Sequence, residues 1–204
     1  MKLKKTILLA ACMVAILAET ARGQAYEHMT LDVGSAVSVL NNTFTRNWDR
    51  SPDVHLGARV DYHAGKLEAG VRYAAYNAGN SDYGEAGFSS YFVYIGWEYP
   101  VRLTDQLTLA PGLRFGNNFM AFDNSMVYPP TGGWGPYPFD SHESEFAYEL
   151  FTRLEYTLAG SPWLLHTSFA YNRTLTYHPL PVGLISFGVS RSFGVPSWLK
   201  NLLQ

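Results

Sequence analysis

Eight times along this chain, bulky apolar residues alternate with small or polar ones at a strict spacing of two. That is the side-chain period of a β-strand, whose successive residues point to opposite faces. Val54, Leu56, Ala58, Val60 and Tyr62 thus oppose His55, Gly57, Arg59 and Asp61, and Tyr91, Val93, Ile95, Trp97 and Tyr99 oppose Phe92, Tyr94, Gly96 and Glu98. The other runs cover 29–40, 67–75, 107–116, 146–156, 163–172 and 185–193. In the last, Ile185, Phe187, Val189 and Phe193 oppose Ser186, Gly188, Ser190 and Ser192.

The connections alternate in length. Short ones fall at 63–66, 103–106 and 158–162, and long ones at 41–53, 77–90, 117–144 and 174–182. The longest contains Tyr128-Pro129-Pro130-Thr131-Gly132-Gly133-Trp134-Gly135-Pro136, which suits neither helix nor strand. Eight antiparallel strands joined by short turns on one rim and long loops on the other predict an all-β, eight-stranded, up-and-down barrel.

A soluble cup and a membrane barrel invert the same pattern. Here the bulky faces carry Tyr, Trp, Leu and Val with almost no charge. The opposite faces gather Asp32, Asp61, Glu68, Glu98, Glu149 and Glu155 with Arg59, Arg72, Arg114 and Arg153, and His55 and His166 nearby. Eight strands leave a lumen only wide enough for side chains, so the small and charged face turns inward. Charges there must pair, because an unpaired buried ion is very costly. A two-residue turn at Ala64-Gly65 predicts Asp61 directly across from Glu68, with Arg59 diagonal to Glu68. The apolar face then meets lipid, and the expected structure is a transmembrane β-barrel. Tyr62, Trp97, Tyr99, Tyr156, Trp163 and Phe193 fall near the periplasmic strand ends, and Tyr73, Tyr91, Phe115, Tyr148 and Tyr171 toward the other rim. These are the expected interfacial girdles. Arg191 alone is a charge on the outward face, close enough to the periplasmic end to snorkel.

The first 23 residues, MKLKKTILLAACMVAILAETARG, have the basic, apolar and small-residue layout of a secretory signal peptide. Leu9-Ala10-Ala11-Cys12 also fits a lipobox, but cleavage there shortens the apolar region and leaves Met13 to Ala18 on the mature chain. Removal of residues 1–23 leaves 11 basic and 16 acidic side chains, a net charge of −5, with no basic patch for nucleic acid. The expected organisation is a signal peptide at 1–23, a barrel at 24–193 and a short tail at 194–204, where Pro196 opens an amphipathic turn.

The leader, the eight alternating strands and Phe193 resemble the small OmpA/OmpX-type outer-membrane barrels. The resemblance implies bacterial outer-membrane residence and a closing strand read by the barrel-insertion machinery. The chain continues past Phe193, where the family usually ends, and a peptidoglycan-binding domain after the barrel is not expected.

His166-Thr167-Ser168 is similar to the His-x-Ser of lipid A deacylase barrels. In that family the pair faces outward, whereas the alternation here turns His166 and Ser168 inward, and Phe169 replaces the following Asn. The expectation is a lumen histidine paired with Glu155 or Arg153, with no catalytic residue. The palmitoyl-transferring barrels need an apolar lumen, which this chain lacks. Asp140-Ser141-His142-Glu143 with Glu145 has no zinc-ligand spacing, and no metal or cofactor is expected. The long loops carry Phe44, Trp48, Tyr83, Phe119, Phe122, Tyr128, Trp134, Tyr137, Phe139 and Tyr177, which either bind an extracellular ligand or pack together over the mouth. The sequence therefore predicts a monomer with a structural or surface-interaction role and lipopolysaccharide as neighbour. A narrow ion or proton conduit is the alternative, and a lipid A-modifying enzyme a more distant one.

Overall fold

The computed structural model describes residues 26–40, 46, 48–78, 87–123, 126–127, 137–138, 141–176 and 179–203. The expected signal peptide and most of the long-loop aromatics lie outside them. Eight long strands build the wall: β1 (His28–Ser38), β2 (Asp53–Tyr62), β3 (Gly65–Ala78), β4 (Phe88–Glu98), β5 (Leu107–Phe122), β6 (His142–Thr157), β7 (Trp163–Thr174) and β8 (Leu180–Gly194). Each pairs antiparallel with its neighbour in sequence, and β1 pairs β8 from His28↔Gly194 to Ser38↔Leu184, closing the cylinder. Among the described residues, no edge strand of the wall is left unpaired for another chain.

The alternation sorts as the solvent on each side demands. Leu31, Val33, Leu56, Val93, Ile95, Leu150, Phe169 and Phe187 are exposed on the outside, whereas Asp32, Arg59, Glu68, Arg72, Arg114, Glu149 and Arg153 are buried inside. This is the inverse of a water-soluble barrel, and it is stable only where the outside meets hydrocarbon.

The strands outrun their alternating segments. β5 and β6 have 16 residues each, whereas about 10 tilted residues cross the apolar layer. The excess lies at the long-loop rim, where outward residues turn polar: Asn117 Nδ2 donates to Ser144 Oγ at 3.3 Å. The segments 77–90 and 117–144, expected as loops, therefore begin and end as strand. Phe119 and Phe122 stand on β5 rather than in a loop, and Trp48 lies in a short strand, Trp48–Arg50, that pairs with β3.

The first turn also differs from expectation. Its two residues are His63 and Ala64, with Tyr62 opposite Gly65 and His63 at a φ of 50°. Starting the turn one residue early slips the register by two, which keeps every side chain on its face. Arg59 then sits opposite Glu68 and Asp61 opposite Lys66, replacing the expected Asp61–Glu68 repulsion with opposite charges. After β8 the chain forms a short helix, α1 (Ser197–Leu203). Val195 N–H donates to the Glu27 carbonyl at 3.0 Å, tying this exit to the start of the wall.

Candidate functional site

The inward positions of six strands converge on one chain of ion pairs along the lumen, topped toward the long-loop end by a buried apolar cluster that includes Tyr76, Phe88, Met120, Val182 and Leu184. At the short-turn end Arg59 on β2 reaches across to four other strands. Its Nη1 donates to Glu98 Oε1 on β4 at 2.9 Å and to Glu155 Oε1 on β6, its Nη2 to Ser190 Oγ on β8 at 3.2 Å, and its Nε lies 3.4 Å from Asp32 Oδ1 on β1. Arg153 on β6 links this group to the next, with Nη1 3.4 Å from Glu98 Oε2 and Nη2 donating to Glu68 Oε1 at 2.8 Å.

Glu68 also takes a two-pronged bond from Arg114, Nε to Oε2 at 2.9 Å and Nη2 to Oε1 at 2.8 Å. Only a planar guanidinium makes this geometry. The same plate lies 4.0 Å from the Phe151 ring centroid and 4.8 Å from that of Tyr94, so aromatic faces pack it on the sides that carboxylates leave open. Its remaining nitrogen, Nη1, donates to Glu149 Oε1 at 2.6 Å. Glu149 Oε2 accepts from Arg72 Nη2 at 2.5 Å and from Asn172 Nδ2 at 3.3 Å. Arg72 Nε is 3.5 Å from Asp53 Oδ2, and Asp53 is completed by Arg50 Nη2 at 2.6 Å and the Ala36 N–H at 2.6 Å.

Ten of the eleven expected network residues line the lumen. Asp61 does not join them: its side chain is 27% exposed and lies 3.6 Å from His28 Nδ1, because its strand has reached the rim before the turn. Arg50 and Asp53 take part instead. Asp53 has the same parity as His55 and Arg59 and was hidden by Pro52, whereas nothing in the alternation marks Arg50. His166 is in the lumen but bonds neither Glu155 nor Arg153. Its Nδ1 is 2.9 Å from Ser190 Oγ, although Glu155 stands opposite it in the register. Ser168 Oγ is 2.5 Å from Ser186 Oγ, so His166 and Ser168 are each bonded to β8 and not to one another.

The aromatics expected at the periplasmic end lie around the short-turn rim as a discontinuous belt. Trp97, Tyr156 and Trp163 face outward, the Trp97 and Tyr99 ring centroids are 6.1 Å apart, and Tyr62 stacks on Tyr26 at 5.9 Å. The outward Arg191 lies 5.3 Å from the Trp163 ring and 5.0 Å from that of Phe193, so two aromatic faces shield its charge at the membrane edge. One side-chain group among the described residues has metal-ligand character: Asp32, His55 and His166, with one donor atom of each within 4.8 Å of the others.

An apolar exterior wrapped around a paired-charge interior, closed by β1 on β8, describes one class of membrane protein. The fold is that of the small outer-membrane barrels. Neisserial surface protein A superposes with a TM-score of 0.58 at 16% identity, covering 84% of this chain and 100% of its own. Ail, the attachment invasion locus protein of Yersinia pestis, superposes at 0.52 with 15% identity, covering 82% and 99%. No protein-family model matches the sequence, and no curated protein is similar to it.

Proposed function

We propose that the chain is a monomeric outer-membrane barrel with a sealed lumen, whose role is structural or surface-interacting and is exercised at the long-loop rim. One observation carries the reading. Six carboxylates and five guanidiniums cross-link the strands inside the lumen beneath an apolar cluster of Tyr76, Phe88 and Met120, and Arg59, Glu98, Glu149 and Arg153 are each at most 1% exposed. Among the described residues, two gaps along this chain have volumes of about 20 and 10 Å3, each room for about one water. A barrel plugged in this way offers its environment only its rims and its outer wall.

The outer wall meets lipid and neighbouring lipopolysaccharide. The rim, where β3, β5 and β6 rise above the apolar layer, is the surface for an extracellular ligand. Attachment, the role for which Ail is named, is of this kind. The bonds of His166 to Ser190 and Ser168 to Ser186 support a non-catalytic reading of that pair.

Planar-bilayer recording of the refolded chain tests the sealed lumen. No discrete openings are expected at neutral pH, and reproducible unitary openings would overturn the proposal in favour of a conduit. Mass spectrometry of lipid A from cells with and without the protein is the second arm. The acyl pattern is expected to be unchanged, and loss of a chain that depends on Ser168 would make the barrel an enzyme.

A further inference from the structure

The two lumen histidines donate nothing to the carboxylates that bind the arginines, and their surroundings suit a metal ion. Around the wall the register runs His55 on β2, Gly34 on β1, Gly188 on β8 and His166 on β7. A Cβ at Gly34 would collide with His55 Cε1, and one at Gly188 would stand 2.5 Å from His166 Nε2. With no side chain between them, the two imidazoles lean over bare backbone toward each other, ring centroids 5.9 Å apart. Asp32, two residues before Gly34 and on the same face, brings its Oδ2 to 3.5 Å from His55 Nε2.

Three observations point to a cation at this junction. Asp32, His55 and His166 are 4, 8 and 5% exposed, yet both Asp32 oxygens and His166 Nε2 have no hydrogen-bond partner among the described residues. Buried polar atoms are seldom left in that state. Second, the other nitrogen of His166, Nδ1, is held by Ser190 Oγ. A proton on Nδ1 leaves the Nε2 lone pair free for coordination, the arrangement by which an outer hydrogen bond orients a metal-binding imidazole. Third, with all its members ionised, the lumen chain of five arginines and six carboxylates carries one negative charge in excess.

We propose that Asp32, His55 and His166 bind one divalent transition-metal ion of the zinc class, through two imidazole nitrogens and a carboxylate oxygen. Donors around a tetrahedral ion at about 2.0–2.1 Å stand roughly 3.4 Å apart. The Asp32–His55 pair already has that spacing, and the three donor atoms lie within 4.8 Å, so side-chain rotation closes the rest. The fourth position faces the gap of about 10 Å3 that His55 and His166 line, the room needed by about one water molecule. Arg72, Arg114 and Arg153 line the same gap, so a cation arriving from the mouth meets positive charge and loading occurs as the barrel closes. The three ligands come from three strands, which is why no ligand spacing marks them in the sequence. The ion fastens β1 and β2 to β7 across the closing seam.

The test is to strip the full chain with chelator under denaturing conditions and refold it into detergent with and without zinc sulfate. Free metal is then removed by gel filtration, and the bound metal is measured by mass spectrometry. One zinc per chain is expected, retained in His142→Gln, which alters an exposed histidine, and lost in His166→Gln. Heat-modifiable migration on gels reports that each variant has folded. Should His166→Gln fail to fold, X-ray absorption of the zinc-loaded wild type decides: two imidazoles and one carboxylate support the site. No bound zinc in the wild type, zinc retained when His55 and His166 are both Gln, or an absorption spectrum without imidazole would each overturn it.

Discussion

Glu149 shows what a single lumen residue does. It is fully buried and accepts from Arg72, Arg114 and Asn172 at once. Glu149→Gln keeps the shape but leaves two guanidiniums facing a neutral amide. Breaking a buried pair in this way costs about 3–5 kcal/mol, because the orphaned charge stays buried. The expected result is a correspondingly lower urea midpoint in detergent micelles, and an unchanged midpoint would mean that water reaches this layer. Most residues of the network could be read from parity, since Glu149, Arg153 and Glu155 share the face opposite Leu150, Leu154 and Tyr156, whereas Arg50 lies outside any alternating run. Their partners could not be read in this way. Arg59 bonds Glu98 and Glu155, on strands two and four places away around the wall, and only closure of the cylinder brings them together. Asp61 has the right parity and fails because of height: parity selects the face, and distance from the rim decides whether that face is dry.

At the scale of the strand, alternation located all eight elements and misjudged their ends. The missed residues of β5 and β6 lie above the apolar layer. There the outward face takes up Asn117 and Ser144 while the inward face of β5 carries Met120 in a buried apolar cluster, so the two-sided contrast that reveals a strand fades. The same reasoning places the strictest demand on the outward positions at mid-height. Val33, Leu56, Val71 and Val93 follow one another across β1 to β4 in register, all on the lipid side. Val93 lies between Tyr91 and Trp97, which mark the two interfaces on β4. Val93→Arg puts a guanidinium near the middle of the hydrocarbon, where the cost is about 2–4 kcal/mol. Arg191 avoids most of that cost at the edge. Folding titrations into lipid vesicles are expected to show the full penalty for Val93→Arg and a much smaller one for an arginine placed at Tyr156. Equal penalties would mean that the membrane does not sit between the aromatic belts.

For the molecule as a whole, stability and sealing depend differently on the same bonds. Removing one arginine takes a partner from each of its carboxylates, most of which keep only one other guanidinium, so each layer matters for folding. Sealing is redundant, because the layers stand one above another along a single narrow lumen. In Arg114→Ala, the Arg59 group with Glu98, Glu155 and Asp32 still fills the periplasmic end, and Arg72 with Asp53 and Arg50 still fills the mouth. This variant is therefore expected to be less stable and still electrically silent in planar bilayers. A variant with Arg59, Arg72 and Arg114 all changed to Ser loses a plug in every layer, and ion flow is expected only there. Openings in Arg114→Ala alone would place the whole barrier at the Glu68–Glu149 layer and make that layer a gate. Silence in the triple variant, with the barrel still folded, would shift the seal from the charges to the width that eight strands impose.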